Sequence, residues 1–201
     1  MSKKFLHVGC GINTKANTTA AFATNEWQEI RYDIDPAVNP DIVGSMLDIH
    51  DIEDGSIDAI FSSHNIEHLY PHQVPVALAE FKRVLRPDGY AVITCPDLQS
   101  IAALVAEDKL TDVAYVSQAG PIAAIDMLYG YRPALQQGND YMAHKCGFTA
   151  KVMTATLTDC GFKSIAHARR PAPSFDLWAL ACVEETDEDH LLGLARSHFP
   201  S

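Results

Sequence analysis

The sequence predicts an α/β protein, a three-layer sandwich on a mostly parallel seven-stranded sheet with one antiparallel strand near the C-terminus. Three observations carry this reading. Apolar runs of strand length recur seven times, at 5–8, 28–32, 41–44, 58–62, 89–95, 163–168 and 177–183. Helical patterns lie between several of them, and strands alternating with helices build parallel sheets with right-handed crossovers. The last two runs are separated by the short turn Pro171-Ala172-Pro173-Ser174, which suits an antiparallel return.

In chain order, the first run, Phe5-Leu6-His7-Val8, ends at the glycine turn Gly9-Cys10-Gly11. The second ends at the acidic pair Asp33 and Asp35. Residues 72–86 read as a helix, because Val74, Leu78, Phe81 and Leu85 recur at helical spacing, Pro71 and Pro75 suit its first turn, and Arg86-Pro87-Asp88-Gly89 reads as the turn that ends it. Gly89 to Cys95 is almost continuously apolar, as expected of a strand covered on both faces. A second helix is expected over about 149–160, with Thr149 as N-cap and Gly161 as its stop. Residues 108–147 fit neither strand nor a clean sheet-packing helix, and read as an inserted lid or an interface between two copies within a single domain spanning 1–201. The acidic stretch Glu184 to Asp189 reads as solvated.

Composition narrows the function classes. Nearly half of the 201 residues are apolar, enough for one full-sized core. A net charge of −11 and scattered basic residues argue against a nucleic-acid partner, which needs a concentrated basic surface. Five cysteines, an odd number without a C-x-x-C pair, argue against a disulfide framework and for a reducing compartment. The N-terminal apolar run is too short for a secretion signal or membrane span, so the expected location is the cytoplasm, without a membrane partner.

In parallel α/β sheets, ligands bind beyond the carboxyl ends of the strands, which here means 9–13, 33–36, 44–48, 63–70 and 96–98. A strand ending in a glycine turn exposes bare backbone N–H groups, and an acidic residue at the end of the next strand accepts ribose hydroxyls. Five segments in this order, Leu6-His7-Val8-Gly9-Cys10-Gly11, Tyr32-Asp33-Ile34-Asp35-Pro36, Asp54-Gly55-Ser56-Ile57-Asp58-Ala59-Ile60, Ser63-His64-Asn65-Ile66-Glu67-His68-Leu69 and Val84-Leu85-Arg86-Pro87-Asp88-Gly89, resemble the class I S-adenosylmethionine-dependent methyltransferases of the type 11 group. His144 to Phe148 followed by Gly161-Phe162 resembles a late segment of the same group. The chain departs from the pattern at His7, where an acid is usual, at Asn13, where a third glycine is usual, and at Ser45, in place of an acid beside the adenine. Backbone-mediated contacts survive all three changes.

The resemblance implies a Rossmann-like fold, S-adenosyl-L-methionine as cofactor, and methyl transfer to a small-molecule acceptor. It implies that Gly9, Cys10 and Gly11 cradle the methionyl part and that Asp33, followed by Ile34, takes the ribose. Met46, Leu47 and Asp48 would flank the adenine, with Ser63 and His64 bordering the sulfonium. Asn65, Tyr70, Tyr129, Tyr131 and Arg132 are candidate acceptor contacts, and His64 and His144 candidate catalytic residues, one of them accepting a proton. Taken singly, each residue of the inserted segment reads as surface; only as a cluster do they suggest a pocket.

His64-Asn65-Ile66-Glu67-His68 also spells H-x-x-E-H, a zinc hydrolase pattern that needs a regular helix. Pro71 follows too soon for one, so no metal is assigned, and Glu67 and His68 read as structural hydrogen-bonding residues. Two other functions stay open: a non-catalytic S-adenosylmethionine-binding protein of the same fold, and a metal-dependent hydrolase using His64, Glu67 and His68. Cys10 and Cys146 show no local feature that would lower a thiol pKa.

Overall fold

A computed structural model describes residues 2–200. Its main sheet has seven strands: β1 (Lys3–Val8), β2 (Trp27–Asp33), β3 (Ile42–Val43), β4 (Ile57–Ser63), β5 (Leu85–Pro96), and, after a hairpin formed by β6 (Val113–Ser117) and β7 (Gly120–Ala123), β8 (Ser164–Arg170) and β9 (Asp176–Cys182). They lie in the order β3-β2-β1-β4-β5-β9-β8. The pairs from β3 to β5 are parallel, and β9 runs antiparallel to both β5 and β8. The expected sheet and its single reversed strand are both present.

The strands alternate in the way a sheet covered on two faces requires. Leu6, Val8, Ile60, Ala91, Ile93 and Leu177 point to one side, where helices α1 (Val74–Val84) and α5 (Ala150–Asp159) contribute Leu78, Phe81, Val84, Met153 and Leu157. Phe5, Ala59, Phe61, Tyr90, Val92 and Leu180 point to the other, against Phe22, Trp27 and the last helix, α6 (Glu188–His198). Ring stacking of Phe22 on Phe5 at 4.4 Å centres this second layer.

Three features differ from the sequence reading or extend it. Arg86–Gly89 is not a turn after α1 but a bulge inside β5: Ile57 pairs with Leu85 and Ala59 with Tyr90. Pro87 has no N–H to give the ladder, so the chain bulges there and rejoins. The acidic tail is solvated as read, and what the reading lacked is that it starts a helix: the Asp187 carboxylate accepts the His190 N–H at 2.9 Å and caps α6. Glu188 and Asp189 in its first turn and Arg196 in its last complement the helix dipole. A further helix, α2 (Leu98–Ala106), begins at the carboxylate of Asp97.

Residues 108–147 hold the β6–β7 hairpin and two short helices, α3 (Ala124–Tyr129) and α4 (Arg132–Gln136). Ile122, Ala124 and Met127 pack with Ile101 of α2 and Phe175 into a small core of their own, which seats the segment beyond the carboxyl ends of β4 and β5. No helix among the described residues is long and apolar enough to cross a membrane.

Candidate active site

The strand order reverses between β1 and β4, because β2 and β3 lie on one side of β1 and β5 on the far side of β4. Loops leaving β1 and β4 therefore diverge, and the gap between them is where an open α/β sheet takes its ligand. A cavity of about 450 Å³ opens there, lined among others by Gly9, Gly11, Asp33, Met46, Leu47 and Asn65.

Gly9 and Gly11 adopt φ of +62° and +53°, the left-handed region that favours glycine. A Cβ on Gly11 would meet nothing within 4 Å, so this turn presents bare backbone to the cavity. At Gly9 a Cβ would lie 2.0 Å from Asn65 Oδ1, so the absent side chain makes room for the β4 loop rather than for a ligand. Asn65 then ties the two loops, donating from Nδ2 to the carbonyls of Val8 and Ser63 at 2.9 Å each.

Asp33 ends β2 with 8 % exposure and accepts from Gly11 N–H at 2.7 Å and Asp35 N–H at 2.9 Å. Each oxygen keeps acceptor capacity toward the cavity it lines. Arg31 fixes the rim: its guanidinium donates to the carbonyls of Gly11, Asn13, Val38 and Asn39 at 2.6–3.2 Å. Ile34, Val38, Met46 and Leu47 supply an apolar wall, and Tyr32 donates from its hydroxyl to the Ser45 and Asp48 carbonyls to hold the 45–48 loop. His7, at the position where an acid is usual, lies 2.7 Å from Glu29, whose other oxygen accepts the Lys15 N–H.

A second cavity of about 140 Å³ shares His64, His68 and Met142 with the first and is otherwise walled by Glu67, Pro96, the inserted segment, Ser174 and Phe175. A wider hollow of about 600 Å³ on the α6 side also reaches His64. His64 is thus the common corner of all three, held at φ +54° while its N–H donates to Thr94 O. Its Nδ1 lies 3.4 Å from Glu67 Oε1, a charge contact without hydrogen-bond geometry. Burial lowers the His64 pKa, but the Glu67 carboxylate outweighs it and the net direction is upward. For Glu67, burial pushes upward and is outweighed by the imidazoles of His64, His68 and His144, which hold the carboxyl below its ordinary value. Burial lowers the pKa of His144. It raises the thiols of Cys10 and Cys146 to about 11 each, which leaves both as poor nucleophiles.

Of the residues singled out in the sequence, Gly9, Gly11, Asp33, Ile34, Met46, Leu47, Ser63, His64 and Asn65 lie on the first cavity. Tyr131 and His144 lie on the second. Glu67 and His68, singled out for the H-x-x-E-H pattern, line the second as well, whereas the remaining cofactor and acceptor candidates are on neither wall. Cys10 is fully buried behind the glycine turn. Asp48 turns outward beside His50. Tyr70 stacks on His72 under the Lys145 ammonium, Tyr129 is 64 % exposed, and Arg132 is spent on Asp126 at 2.6 Å. Asn139, Tyr141 and Met142 line the first cavity without having been singled out; in an irregular stretch they give no periodic signal.

Residues 6–93 match the family described as a methyltransferase domain. No curated protein matches the chain. Solved structures do. A Pyrococcus horikoshii protein superposes with a TM-score of 0.62 at 14 % identity, over 90 % of this chain and 82 % of that one. A SAM-dependent methyltransferase from Archaeoglobus fulgidus does so with a TM-score of 0.58 at 13 % identity, over 90 % and 86 %. The 1,6-didemethyltoxoflavin-N1-methyltransferase of Burkholderia thailandensis, solved with 1,6-didemethyltoxoflavin and S-adenosylhomocysteine, gives 0.56 at 14 %, over 90 % and 70 %. Family match and fold point the same way: residues 6–93 match the methyltransferase-domain model, and the fold of the chain is similar to that of these solved methyltransferases.

Proposed function

We propose that the protein moves the methyl group of S-adenosylmethionine to a small-molecule acceptor bound in the second cavity. The observation that carries this reading is the meeting of two cavities at His64, one of cofactor size at the sheet's switch point and one much smaller beside it. The cleft fits the cofactor on its own evidence: an open glycine turn, a nearly buried carboxylate with free acceptor capacity, and an apolar wall opposite. Gly9 and Gly11 would hold the methionyl part, Asp33 the ribose, and Ile34, Met46 and Leu47 the adenine. The cofactor supplies a methyl group activated by a positive sulfur. The chain's own task is to bring the acceptor to near-attack distance and keep water out.

The 108–147 segment serves as a lid in this reading. It gives Asn139, Tyr141 and Met142 to the cofactor cleft and Tyr115, Met127, Tyr131 and His144 to the acceptor side. The small second cavity and the charge of −11 favour a small molecule over nucleic acid. The bound heteroaromatic molecule of the Burkholderia relative is consistent with that class. The five cysteines are free, which supports a reducing compartment such as the cytoplasm.

The test is a methyl-transfer screen against a metabolite library, read as S-adenosylhomocysteine formation, after calorimetry has established cofactor binding. Turnover of a small acceptor supports the reading. Tight cofactor binding without turnover of any acceptor would replace it with a non-catalytic, cofactor-sensing role.

A further inference from the structure

Glu67 is the feature that methyl transfer leaves unexplained. Its side chain is 1 % exposed, yet neither carboxylate oxygen makes a hydrogen bond to any described residue. A buried carboxylate without hydrogen bonds is costly, and native proteins keep one when a bound water, an ion or a function accounts for it. Its backbone is firmly placed, since the Glu67 carbonyl accepts the N–H groups of Lys145 and Cys146 at 2.8 and 3.2 Å. That same pairing brings His144 alongside from a point far along the chain.

Three imidazoles face this carboxylate: His64, whose Nδ1 lies 3.4 Å from Oε1 without hydrogen-bond geometry, and the closer-set pair His68 and His144. One ligand atom from each of Glu67, His68 and His144 lies within 4.8 Å of the other two. The His68 and His144 rings meet edge to face at 4.9 Å. His68 Nδ1 donates to the Ala143 carbonyl at 3.1 Å and His144 Nδ1 to the Met127 carbonyl at 2.8 Å, which fixes both rings in the tautomer that leaves Nε2 unprotonated. A backbone carbonyl on the far nitrogen is the usual way a metal-binding histidine is oriented.

We propose that Glu67, His68 and His144 bind one divalent transition-metal ion, zinc or iron(II) by ligand type, in the second cavity. Two imidazoles and one carboxylate select these ions over magnesium or calcium, which prefer oxygen ligands. Bonds of about 2.0–2.1 Å need ligand atoms roughly 3–3.5 Å apart, so the three side chains close by about an ångström on binding. Three protein ligands leave coordination positions open to the cavity that all three residues line. An acceptor carrying an oxygen or nitrogen donor would take such a position, and coordination would make it more acidic. The set differs from the H-x-x-E-H pattern in the sequence, since the second imidazole is His144 and not His64.

Metal binding is read without any acceptor, so its failure is separable from failure of the methyl-transfer reading. The chelator-stripped full-length protein is titrated with cobalt(II), followed by d–d absorption, and competed with zinc. One equivalent is expected to bind, with Glu67→Gln and His144→Ala each weakening it by about 100-fold or more, while S-adenosylmethionine affinity stays within a few-fold. Both variants are checked for folding by circular dichroism, and His144→Ala, at a partly exposed position, provides the second route if Glu67→Gln misfolds. Absence of d–d absorption in the wild type at millimolar cobalt overturns the site. Wild-type affinity in a folded variant overturns it equally.

Discussion

Replacing Gly9 by alanine separates the two jobs a glycine can do in this turn. The added Cβ must adopt φ near +62°, which costs about 1–2 kcal/mol for an L-residue. It also lies 2.0 Å from Asn65 Oδ1, so the Asn65 amide must leave the Val8 and Ser63 carbonyls it now serves. Each lost hydrogen bond is worth about 0.5–1.5 kcal/mol net, giving a total of about 2–5 kcal/mol for Gly9→Ala. Gly11→Ala pays only the conformational part, about 1–2 kcal/mol, because its Cβ meets open space. Urea denaturation of Gly9→Ala, Asn65→Ala and the double variant closes a cycle. Removing the Asn65 amide relieves the clash, so the double variant should be more stable than the sum of the single losses by about 1–3 kcal/mol, the two hydrogen bonds that each single variant loses. Strict additivity, or a Gly9→Ala cost no larger than that of Gly11→Ala, would refute the loop-clamp account.

Other expectations follow from the same geometry. Burial lowers the pKa of His198 to about 4, below the ordinary 6.5, so between these values the unfolded chain holds a proton that the folded chain refuses. Its stabilisation is complete above pH 6.5 and falls as the pH drops; about 2 kcal/mol is lost between pH 7.5 and 5, and urea melts of His198→Gln should show a correspondingly shallower pH dependence. His64→Ala and His144→Ala should slow single-turnover methyl transfer while leaving cofactor affinity within a few-fold, and wild-type rates in both would misplace the acceptor site. Arg31→Met frees the four carbonyls of the rim and should weaken cofactor binding by about 1–2 kcal/mol, read by calorimetry.

The sheet was legible because β5 beyond its bulge and β9 are nearly continuous apolar runs and because β1 and β2 end at a glycine turn and an acidic residue. The helix at 74–84 was equally legible from its apolar stripe, and Thr149 caps α5 as its position suggested. What escaped was set by long-range partners. The helix α6 has few apolar residues, and Leu191 and Leu194 become a face only when Phe22 and Trp27 are beneath them. Gly9 looked like a ligand-facing glycine, whereas its neighbour is an asparagine 56 residues on, which no local pattern announces. Arg31, a charge inside an apolar strand, was a signal available in the sequence, and its four carbonyl partners explain it. The meeting of His144 with Glu67 and His68 depends on the fold of the inserted segment, where periodicity is silent.

The central claim is that S-adenosylmethionine sits between the β1 turn and Asp33. Titration calorimetry of the wild type and Asp33→Ala, each confirmed folded by its denaturation curve, tests it most directly. The account predicts one cofactor per chain in the wild type and an affinity lower by about 1–3 kcal/mol in the variant, through loss of the charge-assisted hydrogen bonds that Asp33 offers the ribose. No binding heat in the wild type, or identical isotherms for the two folded proteins, would contradict it.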